Sequence, residues 1–158
     1  MGREAVQGVH YEGVEGSLMA RQWETPEDLA NEDAVARVYA EFMRCEYEKV
    51  PKHYKFDVAF TREGQVVAIV EIRCRNNAHD AYPTIMLSLQ KWSDIRTMAE
   101  HMGVPAKFVV RFTDGIYTLT MTEMPDSIEM GGRALMRDSR DREPLVHFNV
   151  DRMRRIDG

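Results

Sequence analysis

The chain has 158 residues, of which 44% are hydrophobic and 30% charged, and a formal net charge of −5. That length suits one domain with a real core, the composition is globular rather than disordered, and no apolar run approaches the roughly 20 residues that span a bilayer. The negative balance excludes whole-surface attraction to nucleic acid but leaves room for a local basic groove.

Residues 1–22 hold little periodicity and several glycines, so a flexible arm is expected there, followed by a single domain over 23–158. In WETPEDLANEDAVARVYAEFMRCEYEKV, Thr25 is a good N-cap and Pro26 suits the first helical position. Asp28 completes a T-x-x-D capping box. Leu29, Ala36, Tyr39 and Phe42 recur at helical spacing, which predicts an amphipathic helix ending before Pro51. Tyr54–Phe60 and Gln65–Arg73 read as strands joined by Arg62-Glu63-Gly64, a three-residue loop of type I turn plus bulge. In that register Thr61 pairs with Gln65 and Asp57 faces Ile69. Asp57, Ile69, Glu71 and Arg73 then share one face, with the two carboxylates as diagonal neighbours about 7 Å apart.

NNAHDAYPT reads as a loop, and Ile85–Met102 as a second helix stopped by Gly103. AKFVVRF and GIYTLTM are strands on either side of Thr113-Asp114-Gly115. From about residue 122 the chain is expected to be an irregular extension of the same sheet, with one short strand at LVHFNV. The predicted fold is α/β, a central mixed sheet flanked by helices in the order α-β-β-α-β-β.

Two carboxylates on rigid strands supply hard oxygen ligands for a divalent ion at little ordering cost. Such an ion polarises a phosphoryl oxygen and acidifies a water. A cation two residues after the second acid can orient that water or stabilise developing charge. The pattern D-x13-E-x-[K/R] is therefore a mechanically sensible phosphodiesterase unit.

Asp57, then Glu71-Ile72-Arg73 after a turn, with an acidic helix before and a second helix after, resembles the PD-(D/E)xK nuclease superfamily over about Thr25 to Met121. YKFDVAF…VEIRCRN, with GGR and REP further on, also resembles small tailed-phage proteins bearing this restriction-endonuclease-like core. The resemblance implies Mg²⁺ or Mn²⁺ on Asp57, Glu71 and the Ile72 carbonyl, with Glu32 as the helix acid that binds or supports the metal. It implies DNA as substrate and Arg73 in the place of the motif lysine. Gln90 and Lys91 match the position where many members put a polar residue facing the site. Together with Arg75 and Arg133 they are the candidate nucleic-acid contacts. Many members work as dimers, since cutting both strands takes two sites, so a homodimer is an expectation too.

The pattern departs from the family in one chemically relevant way. Lysine exchanges protons when its pKa is lowered, whereas arginine stays charged. An inactive nuclease-fold module that binds nucleic acid or a protein is therefore the chief alternative. A phage interaction protein that engages a host factor through its arginine-rich tail is a third. His79 beside Asp80 invites a general-base reading, yet a histidine in a polar loop is expected to be solvated. Cys74 reads as a residue on the opposite strand face. Two cysteines make neither a disulfide framework nor a zinc site, and the N-terminus lacks a signal-peptide core. The expected location is cytoplasmic, in the host cell if the chain is phage-encoded.

Overall fold

In the computed structural model, which describes residues 25–131 and 142–158, Thr25 starts the first helix through a reciprocal capping box. Its hydroxyl accepts the Asp28 N–H at 3.0 Å, and its own N–H donates to the Asp28 carboxylate at 3.2 Å. Helix α1 (Pro26–Met43) ends at Arg44, which is left-handed with φ 56°. This is earlier than the sequence predicts, because the next residues form β1 (Glu46–Lys49). Tyr47 decides that switch. Its ring lies 5.9 Å from Phe60 and its hydroxyl donates to Asp33 at 2.7 Å, tertiary contacts made by a strand at this place.

β2 (Val58–Arg62) and β3 (Gln65–Cys74) form the expected hairpin, but β2 starts later than Tyr54 and the turn is different. The loop has two residues, Glu63 and Gly64, with φ 54° and 82°, the double positive φ of a type I′ turn. The irregularity moves into the strand: Thr61 pairs with Val66 and Phe60 with Ala68, so Val67 forms a bulge. Beyond it Ala59 pairs with Ile69 and Val58 with Val70. The true register is displaced from the predicted one by two residues. An even displacement preserves the faces, and it brings Asp57 level with Glu71 rather than with Ile69.

The segment TIMLS corrects the second helix. It is strand β4 (Thr84–Ser88), because Ile85 and Leu87 alternate inward, and α2 (Leu89–Met102) begins only when the Ser88 hydroxyl accepts the Lys91 N–H at 3.3 Å. β5 (Ala106–Phe112) and β6 (Gly115–Thr120) follow as predicted. The described part of the tail holds more regular structure than the sequence predicts. It supplies β7 (Ser127–Gly131), β8 (Glu143–Asn149), a 3-10 turn over Val150–Arg152 and β9 (Arg154–Arg155). β4, β8 and β7 make a separate three-stranded sheet, and only β9 extends the main one, whose order is β1-β2-β3-β5-β6-β9. The β3–β5 pair is parallel and the others antiparallel, so the central sheet is mixed.

The sheet is packed on both faces. Val35 and Tyr39 of α1 cover Phe60, Val70 and Ile72 on one side. Trp92 and Ile95 of α2, with Val146 and Phe148 of the small sheet, cover Ile69 and Phe108 on the other. The Trp92 indole donates to the Met121 carbonyl at 2.6 Å, so its polar edge is satisfied inside the core. Truncating a fully buried phenylalanine such as Phe108 to alanine would cost about 3–5 kcal/mol. No described helix is long and apolar enough to cross a membrane. The arm over 1–22 and Arg133 lie outside the described residues.

Candidate functional site

β3 outruns β2. Their pairing stops at Val58 and Val70, so the Ile72 backbone on that edge needs another partner. Asp57 supplies it: Oδ2 accepts the Ile72 N–H at 2.9 Å, while the Asp57 N–H donates to the Val70 carbonyl at 3.0 Å. These two ties hold the carboxylate against β3 with the residue only 2% exposed.

Glu71 is completely buried. Its Oε2 accepts from Nη1 of Arg73 and lies 3.3 Å from the Lys91 ammonium. Its Oε1 has no hydrogen-bond partner among the described residues. An unsatisfied buried acceptor costs on the order of 1–3 kcal/mol, and a carboxylate oxygen in that state is suited to a cation. Burial pushes the Glu71 pKa up, and the Asp57 charge adds to this, while Arg73 and Lys91 pull it down.

Arg73 closes the pair from outside. Its Nη1 also lies 3.4 Å from the Ile72 carbonyl, and its side chain remains 26% exposed. Burial works against its charge, but the attraction of Glu71 and Asp57, the hydrogen bond to Glu71 and the charge of Glu32 outweigh it. Its pKa is raised in consequence. Lys91 closes the pair from inside. It lies on the buried stripe of α2 with Trp92, Ile95 and Ala99, its side chain 9% exposed. The site is a buried quartet of two acids and two cations, balanced in charge, as low-dielectric surroundings require.

Lys91 was readable from sequence only as a polar residue near the site. Its pairing with Glu71 is a tertiary contact between α2 and β3 that helical spacing alone does not give. The signal is a lysine at one-, four- and eight-residue spacing from Trp92, Ile95 and Ala99, where an apolar side chain belongs. Gln90 is exposed and donates to Asp94 at 3.1 Å on its own helix. Glu32 pairs with Lys49 at 3.0 Å, with its charge felt at Arg73 and Cys74. Arg75 is half-buried at the end of β3. Among the described residues, the trio of ligand-type side chains with atoms within 4.8 Å of one another is not the acid pair but His79, Asp80 and Asp114. There Asp114 already accepts the His79 N–H at 2.9 Å and sits 2.6 Å from its ring Nδ1, an arrangement that anchors the loop.

A family model described as phage putative PDDEXK endonuclease matches residues 19–156. The chain belongs to this family. Among solved structures, one similar chain is Archaeoglobus fulgidus Hjc, a Holliday junction resolvase from an archaeal hyperthermophile. The TM-score is 0.48 and the identity 12%, over 75% of this chain and 80% of that one. Comparison with curated proteins found no match.

Proposed function

We propose that this chain is a divalent-metal-dependent endonuclease acting on DNA, with Asp57, Oε1 of Glu71 and the Ile72 carbonyl as the ligands of Mg²⁺ or Mn²⁺. The observation that carries the reading is the buried Oε1 of Glu71, without a hydrogen-bond partner among the described residues and beside a second carboxylate. The donors are hard oxygens held on strands, which fits such an ion. Bound there, the ion would polarise a phosphoryl oxygen and acidify a water.

The chain's own residues do the rest. Asp57 is held in place by the Ile72 N–H, so its carboxylate needs little reorganisation. Lys91, the more deeply buried cation, keeps Glu71 oriented through Oε2. Arg73, the more exposed one, is placed to swing from Glu71 to a substrate phosphate, which guanidinium forks bind well. Glu32 supports the charge of Arg73 electrostatically.

Calorimetric titration with Mn²⁺ tests the ligand set independently of cleavage. We expect binding in the wild type and its loss in Asp57→Asn and Glu71→Gln, with metal-dependent nicking of plasmid DNA lost in the same variants. Cleavage unchanged in either variant would overturn the assignment.

A second reading is favoured by one feature. The Arg73 guanidinium already contacts both Oε2 of Glu71 and the Ile72 carbonyl, as a built-in cation in a non-catalytic DNA-binding module would. On that reading Mn²⁺ does not bind, and Arg73→Lys leaves the protein inactive.

A further inference from the structure

Just past the end of β3 and two residues beyond Arg73, Arg75 lines a cavity of about 450 Å³. That volume falls in the range of small-ligand sites. Ile85 and Phe112 give it an apolar floor, and Asn77 and Thr84 add polar groups. Tyr82 also lines it, with its residue 65% exposed. An aromatic ring so exposed next to a pocket is a free stacking surface.

The walls are already held in place. The Arg75 N–H donates to the Arg111 carbonyl at 2.8 Å, and the Thr113 N–H donates to the Asn77 carbonyl at 3.0 Å. His79 is fixed by Asp114 and stacked on Tyr117, with ring centroids 4.4 Å apart. Arg75 forms no ion pair with a carboxylate among the described residues. Burial and then Arg73 press its pKa down, and no carboxylate among the described residues pulls it back. An apolar slot, an exposed aromatic ring and a half-buried guanidinium match the parts of a nucleotide: base, stacking face and phosphate. A base still paired in a duplex cannot enter such a slot without leaving the stack.

We infer that this cavity takes one unstacked nucleobase of a DNA strand whose phosphate meets Arg75, so that the substrate is DNA with unpaired nucleotides rather than uniform duplex. The inference rests on the DNA reading of the neighbouring acid pair. It names the substrate class of that site.

Fluorescence anisotropy in EDTA, with full-length protein, compares a duplex bearing a single-stranded flap with a fully paired duplex of equal length. The flap is expected to bind more tightly. Tyr82→Ala should weaken flap binding by about 5- to 100-fold, the worth of one aromatic–base stack, and duplex binding far less, while Tyr82→Phe retains the preference. Equal affinity for the two DNAs overturns the inference, as does a Tyr82→Ala loss that is nil or identical for both. Competition by free deoxynucleoside monophosphate as effective as that by the flap strand overturns the assignment to a strand. Binding is read without metal, so the two readings fail separately. A chain that prefers the flap but never cuts refutes only the nuclease; one that cuts with Tyr82→Ala unchanged refutes only the pocket.

Discussion

The Lys91 ammonium and the Arg73 guanidinium both approach Oε2 of Glu71, while Oε1 has no hydrogen-bond partner among the described residues. The two cations differ in access, and so in the outcome of removing them. Arg73 competes with an incoming ion for Glu71 and for the Ile72 carbonyl. Arg73→Ala should therefore tighten Mn²⁺ binding by about tenfold, equivalent to about 1.4 kcal/mol, while cleavage falls because the phosphate loses its cation. Titration calorimetry beside a nicking assay measures both, and weaker metal binding would contradict the competition. Lys91→Met acts differently. It removes a buried partner from an acid that keeps Arg73, so a stability loss of about 1–3 kcal/mol is expected from urea denaturation. The fold should survive because Trp92 and Ile95 still hold the helix.

At the level of elements, the acid pair was legible because face assignment depends only on parity. The predicted loop is one residue too long and its bulge falls at the turn rather than at Val67 inside the strand, yet Asp57, Glu71 and Arg73 share one side in both registers. What sequence could not supply was tertiary choice. TIMLS reads equally as a helix start or a strand, and pairing of Ile85 with Phe148 and Leu87 with Val146 decides for the strand. CEYEK leaves the helix because Tyr47 finds Asp33 and Phe60, partners distant in sequence. The turn also carries a testable imperfection. Glu63 adopts a left-handed conformation that asparagine tolerates better in a type I′ turn. Glu63→Asn should raise stability by about 0.5–1 kcal/mol, and Gly64→Val, at φ 82°, should lower it by about 1–2 kcal/mol. Thermal melts of the two variants should move in opposite directions.

Across the whole molecule, the small sheet must stay docked on the large one, since Trp92 and Ile95 of α2, which brings Lys91 to the site, share one apolar cluster with Ile69 and Phe108 of the large sheet and Val146 and Phe148 of the small one. Within that region a polar clasp ties the segment ahead of β7 to the end of β8. Oδ2 of Asp126 accepts the Asn149 N–H at 2.7 Å and Nη1 of Arg152 at 2.9 Å, and Arg152 also reaches the Met124 carbonyl at 3.0 Å. The Asn149 N–H, then Arg152, hold the Asp126 pKa below its ordinary value. A carboxyl with a depressed folded-state pKa contributes its stability fully above the unfolded value, about pH 3.9. That contribution is lost as pH falls through the lower folded value. Asp126→Asn should accordingly lower the melting temperature at neutral pH, and the gap to wild type should close as acid protonates the wild-type carboxyl. Circular-dichroism melts from neutral to strongly acid pH test this. Ile85 and Val150, which line the cavity beside Arg75, belong to the same small-sheet region. Loosening the clasp should therefore also weaken binding to unpaired DNA at neutral pH. A gap that stayed constant across pH would mean that the charge of Asp126 does not stabilise this clasp.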